Sequence, residues 1–175
     1  MFSVRWRTKS TFYIIQVKLD DTSLFLLWYD DENISGLVTN ECSKIIAFKQ
    51  IENLLRYARE KSFRLVDDTP DCAYDFDALD TWCNKPTAAL IDCKKFLTSW
   101  NLLEDFLGSV SGTICKLEDD RYFDVYSKLF AGCNYPAINH GNEYIPEWSS
   151  EDIEKIVKCL SNGIKFVREH LVVFD

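Results

Sequence analysis

Glycine and proline are sparse in this chain of 175 residues, at six and four, and no glycines group as GxGxxG or GxxxxGK[ST]. That removes the loops whose backbone N–H groups cradle nucleotide phosphates, and no GxSxG elbow presents a serine nucleophile. Histidine is scarcer still, with only His140 and His170. A thiol or hydroxyl nucleophile needs an activating base, and neither imidazole suits the task. His140 lies in the turn-rich stretch NYPAINHGNEYIP and reads as a surface loop residue. His170 falls near the end of a helical pattern, where a protonated ring is favourable against the helix dipole. Long apolar runs are missing too, so no membrane span is expected. The opening MFSVRWRTKS lacks the basic-then-apolar pattern of a signal peptide. Clustered Lys and Arg are also absent: the twenty basic residues are scattered, the net charge is −8 and the pI about 4.8. A phosphate-binding surface wants the opposite, so neither nucleic acid nor an anionic membrane is an expected partner.

The seven cysteines, at 42, 72, 83, 93, 115, 133 and 159, contain no CxxC pair and none sits close to a histidine. Zinc-site spacing is therefore lacking, and an odd number does not make a disulfide framework. The expectation is a set of reduced thiols acting as small hydrophobes in the cytoplasm, with no metal and no cofactor.

What the chain does have is acid in one place. Between Asp67 and Asp80 the sequence carries six aspartates and no basic residue, within VDDTPDCAYDFDALDTW. Such crowding of like charge opposes stability. A solvated loop accommodates it. So does an acidic face with aromatic anchors that covers something basic, the rings supplying binding energy and the carboxylates steering and orienting the partner. The candidate binding residues are Asp67, Asp68, Asp71, Tyr74, Asp75, Asp77, Asp80 and Trp82. Asp75-Phe76-Asp77 is formally a DxD, the metal-binding tripeptide of some sugar-nucleotide transferases, and so keeps a metal-dependent transferase or hydrolase open as an alternative. Asp75 and Asp77 also stand where they could cap a following helix.

Periodicity predicts an α+β fold: a small antiparallel or mixed N-terminal sheet packed on helices, with the C-terminal two-thirds helix-rich. Residues 12–19 and 24–29 form a hairpin around Asp20-Asp21-Thr22-Ser23, and Lys44–Phe48 a further short strand. A helix with Ile51, Leu54, Leu55 and Ala58 inward ends near Ser62, and Phe63–Val66 follows as a strand. A long helix opens after Pro86 with Thr87 as N-cap. Its inward stripe is Cys93, Phe96, Leu97, Trp100, Leu103, Phe106, Leu107 and Val110. Asp92, Lys94, Lys95, Ser99, Glu104 and Asp105 face out, and Gly108 and Gly112 mark the end. Asp119–Phe130 is a shorter helix. Ser149 with Asp152 reads as the capping box of a last helix whose seam runs from Ile153 to Leu171. No repeat or linker divides the chain, so residues 1–175 are one domain: 1–66 mainly sheet plus one helix, 87–171 mainly helical.

The segments AFKQIENLLRYARE (47–60), YDFDALDTW (74–82), DCKKFLTSWNLLEDF (92–106), VYSKLFAGCNYPA (125–137) and YIPEW (144–148) occur in that order. Together, over roughly residues 44–168, they resemble a family of bacterial immunity proteins that accompany polymorphic toxins, including contact-dependent growth inhibition systems. The Tyr-Asp-Phe-Asp block and Trp100-Asn101 carry most of the likeness, while Gly132-Cys133 departs from it, where a bulkier or polar residue is expected. The first forty residues lie outside the likeness. The resemblance implies a non-enzymatic protein that binds a cognate toxin domain and blocks it, the toxin being a basic nuclease and, by preference among nuclease types, an EndoU-like RNase. The acidic composition fits such a partner. An unrelated intracellular adaptor domain is the alternative without a toxin.

Intact mass after alkylation under denaturing, non-reducing conditions is expected to show seven labelled thiols. Fewer labels, restored by a reductant, would reveal a disulfide and overturn the assignment.

Overall fold

Two long strands, β1 (Thr11–Leu19) and β2 (Thr22–Asp31), pair antiparallel in unbroken register from Thr11↔Asp30 to Leu19↔Thr22. The computed structural model describes residues 10–31, 34–111, 122–139 and 143–175. Both strands alternate apolar side chains to two buried faces, so the hairpin runs between two cores. Phe12, Ile14 and Leu27 point to one face, where α1 (Ile51–Glu60) lays Leu54 and Ala58 against them. Ile15, Val17, Leu24 and Leu26 point to the other. That larger core is closed by α2 (Phe76–Asn84), α3 (Cys93–Ser111), α4 (Phe123–Gly132) and α6 (Ser150–His170), while α5 (Pro136–Asn139) is a single turn.

Four shorter or irregular strands complete a mixed sheet. β5 (Arg64–Asp75) lies parallel to β1 at one edge, β4 (Ile45–Phe48) pairs antiparallel with β2, and β6 (Leu171–Phe174) lies parallel to β4 at the other edge. β3 (Ile34–Leu37) pairs with the Trp28–Asp31 end of β2. The α+β expectation holds. Among the described residues no helix is long and apolar enough to cross a membrane.

Several local expectations need correction. The strand expected at Phe63–Val66 continues to Asp75, because β1 offers it a parallel partner that sequence periodicity cannot show. Thr87 precedes only a 3-10 turn, Ala88–Leu90, and its side chain makes no cap. The long helix starts at Cys93, with Asp92 Oδ1 accepting the Lys95 N–H at 3.0 Å. Ser99 is buried rather than solvent-facing. Asp105 accepts the Trp28 indole N–H at 2.9 Å, so it too faces inward. Leu171 belongs to β6, so the last helix stops at His170, and the branched run Leu171-Val172-Val173 takes the strand conformation it favours. His140, Cys115, Gly112 and the Asp119–Arg121 start of the expected helix lie outside the described residues. The Ser149–Asp152 capping box is present in both directions.

Two glycines have packing reasons. A Cβ at Gly132 would meet Cys93 Sγ at 2.5 Å and Pro146 Cγ at 2.7 Å, so the small residue lets α4 approach the start of α3. This accounts for the departure at that position. At Gly163 a Cβ would stand 2.6 Å from Leu103 Cδ1 and 3.2 Å from Leu103 Cβ. Leu103 is fully buried between α3 and α6 and has no room to yield.

Gly163→Ala therefore sets a gain in helix propensity of about 1 kcal/mol against overpacking of about 1–3 kcal/mol. The net expectation is destabilisation, read as a lower urea midpoint with unchanged slope. A raised midpoint would show that α6 can move off Leu103.

Candidate functional site

The aspartate-rich segment is an edge strand, and its aspartates divide into two groups with different tasks. Along β5 the register jumps from Phe12↔Leu65 to Ile14↔Pro70, so residues 66–69 bulge away from the ladder. Asp67 and Asp68 ride on this bulge and Asp71 follows Pro70. All three are exposed. Bulge, proline and charge are devices that keep an edge from pairing with another chain. The Asp68 N–H donates to Asp67 Oδ1 at 2.7 Å, which holds the Asp67 carboxyl below its usual range. None of the three forms an ion pair with a described cation.

The second group is built into the fold. Asp75 Oδ1 accepts the Ala78 N–H at 2.9 Å as N-cap of α2. Asp77 Oδ1 and Oδ2 accept the N–H groups of Asp20 and Asp21 at 2.7 and 2.9 Å. Those two residues make the β1–β2 turn with φ of 52° and 57°, a left-handed pair that L residues adopt at some cost. Asp80 Oδ2 pairs with Arg168 at 2.9 Å, and the same guanidinium holds Asp20 at 2.9 Å. Trp82 is 7% exposed, stands edge-on to Phe96 at 4.8 Å, and donates its indole N–H to the Thr87 carbonyl at 3.1 Å. Of the eight candidate binding residues, Asp75, Asp77, Asp80 and Trp82 are thus committed to caps, turn, ion pair and core. The DxD carboxylates do not converge. Among the described residues no three His, Cys, Asp or Glu side chains form a metal-binding group.

Tyr74 joins the two groups and leads to features that the sequence did not reveal. It lines a cavity of about 300 Å³ between the sheet and α3, with Tyr13, Trp28, Asp71, Cys72 and Asp105. Tyr13 and Trp28 face each other across β1 and β2, ring centroids 5.5 Å apart and tilted by 57°. Burial raises the Tyr74 phenol well above its ordinary pKa, and the hydrogen bond it shares with Cys72 Sγ at 3.3 Å acts in the same direction. Burial also raises the Asp105 carboxyl, against the lowering effect of the Trp28 indole bond. An acid raised in the folded chain holds its proton more tightly there. Its ionised form therefore opposes folding once pH exceeds the ordinary aspartate value. A second, more apolar hollow of about 510 Å³ adjoins the first through Tyr74 and Thr98, under Leu79, Trp82, Leu90 and Phe96. The open depression of about 520 Å³ between α4 and α6 is crossed by satisfied ion pairs, Lys128–Asp152 at 2.7 Å and Lys155–Glu151 at 2.8 Å. No signal in the sequence marks Tyr13, Trp28 and Asp105 as neighbours, because their proximity arises from strand register and helix placement.

No family model matches the chain, and no curated protein matches it. Among solved structures it is similar to the C-terminal domain of SatS, crystallised in complex with bromine. The two share 15% sequence identity at a TM-score of 0.59, over 93% of this chain and 94% of that one. At that identity the likeness concerns the fold alone.

The two groups are separable by mutation. Replacing Asp67, Asp68 and Asp71 together with Asn is expected to leave the melting temperature unchanged or slightly raised, since it relieves repulsion. Asp77→Ala frees two turn N–H groups and is expected to cost about 1–2 kcal/mol. Equal losses in thermal melts would refute the division.

Proposed function

We propose that this chain is a non-enzymatic immunity protein, which binds and neutralises a basic toxin domain in the cytoplasm through the β5 edge. The observation that carries the reading is the placement of Asp67, Asp68 and Asp71: exposed, without a described cationic partner, and beside an aromatic cavity. Carboxylates so placed can occupy the positions that phosphates take in a nuclease cleft, and the net charge of −8 speeds encounter with a cationic surface. Resemblance to the immunity family supplies the class of partner, a nuclease and by preference an EndoU-like RNase. Edge protection alone explains the bulge and Pro70. It gives no reason for aromatic rings opening beside Asp71.

The test is association kinetics with the toxic C-terminal domain encoded by the neighbouring gene. The Asp67→Asn, Asp68→Asn, Asp71→Asn variant is expected to associate about tenfold more slowly at low salt, with a flatter salt dependence. Association at the wild-type rate in low salt would sink the electrostatic reading of this edge.

A further inference from the structure

We propose that the cavity between β5 and α3 is a receptor for one arginine side chain of the basic partner. The proposal rests on the toxin-binding reading for the partner's identity but on the cavity alone for its chemistry. Tyr13, Trp28 and Tyr74 supply three aromatic rings, two of them set at 57° so that they form an angled wall. Asp105 stands among them. Its Oδ2 is engaged by the Trp28 indole N–H at 2.9 Å, and its other oxygen takes no partner among the described residues. Two neighbouring polar oxygens are already engaged: Asn101 Oδ1 accepts the Tyr126 hydroxyl at 3.0 Å, and the Thr98 hydroxyl donates to the Lys94 carbonyl at 2.9 Å. A half-buried carboxylate is thus held beside aromatic faces with no counter-charge among the described residues.

The occupant that this chemistry selects is a cation with a flat face and an apolar stem. An apolar side chain would strip water from Asp105 and leave its charge uncompensated. An ammonium would supply charge but carries a tighter hydration shell and cannot stack. A guanidinium stacks on the rings, donates to a carboxylate in a fork, and loses its water more readily. Buried Ile15 and Leu102, which also line the cavity, suit the methylene stem. Exposed Asp71 stands near the opening to attract the charge.

The experiment titrates the full chain, labelled with ¹⁵N, with Nα-acetylargininamide, Nα-acetyllysinamide and Nα-acetylcitrullinamide at matched ionic strength. The Trp28 indole resonance is assigned by its loss in Trp28→Phe. The expected result is a saturable shift of that resonance with the arginine derivative. Binding should be about tenfold weaker for citrulline, which has the same shape without charge, and intermediate for lysine. Asp105→Asn keeps an oxygen for the indole N–H and removes the buried charge. Its melting temperature is expected to match or exceed the wild type at neutral pH, while arginine binding falls about tenfold. No saturable shift, equal binding of citrulline, or full binding by a folded Asp105→Asn would each overturn the cavity's assignment. Toxin capture is scored separately. Toxin held at wild-type affinity by Asp105→Asn removes the cavity and leaves the acidic edge, whereas arginine binding without toxin capture keeps the cavity and removes the toxin.

Discussion

A single carboxylate locks the centre of this fold. The β1–β2 turn places Asp20 and Asp21 consecutively in left-handed backbone, a conformation normally left to Asn-Gly, and points their N–H groups at one spot. Asp77, in the first turn of α2, accepts both. The bond pair fixes the hairpin's closed end against the helix layer. Since β1 and β2 pair without interruption, fixing one end sets the register of every residue that faces either core. Arg168 adds a second tie by bridging Asp20 and Asp80, so α2, α6 and the hairpin meet at one charged knot.

From that knot the rest of the acidic segment follows. Upstream of α2 the chain leaves as β5 and runs along β1, its side chains mostly exposed. Sheet and α3 part beside it, and Tyr13, Trp28 and Tyr74 line the gap without filling it. The carboxylates nearest the knot are spent on structure, while those further along the strand stay in solvent. One run of like charge therefore serves two ends: local backbone bonds where the chain must turn, and an open field where it does not.

How much of this was legible in the sequence differs by element. The hairpin was, because FYIIQVKL and LFLLWY are branched and aromatic on both sides of an Asp-Asp-Thr-Ser turn. The last helix was, because its capping box and seam are both local signals. β5 was legible only in its first residues. Its continuation carries Pro70 and four exposed aspartates, and is held as strand by β1 rather than by its own propensity. β6 was hidden because Leu171 continues the helical seam by accident of spacing. For the site, exposure of Asp67, Asp68 and Asp71 followed from the cost of burying unpaired carboxylates. The roles of Asp75 and Asp77 were readable only as one of two options. Asp105 was misread as solvent-facing, since its indole partner sits on a strand far away in sequence.

The parallel pairing of β4 with β6 has a consequence for biogenesis. β6 is made only after α6, so in a growing polypeptide Ile45, Ile46 and Phe48 wait with one edge of backbone unpaired until residues 171–174 follow. Closing so long a loop is entropically slow, and parallel strands gain nothing until it closes. The sheet is therefore completed last. A nascent chain stalled before α6 would present an apolar, hydrogen-bond-hungry rim to whatever holds it, the kind of surface on which chaperones and aggregation compete.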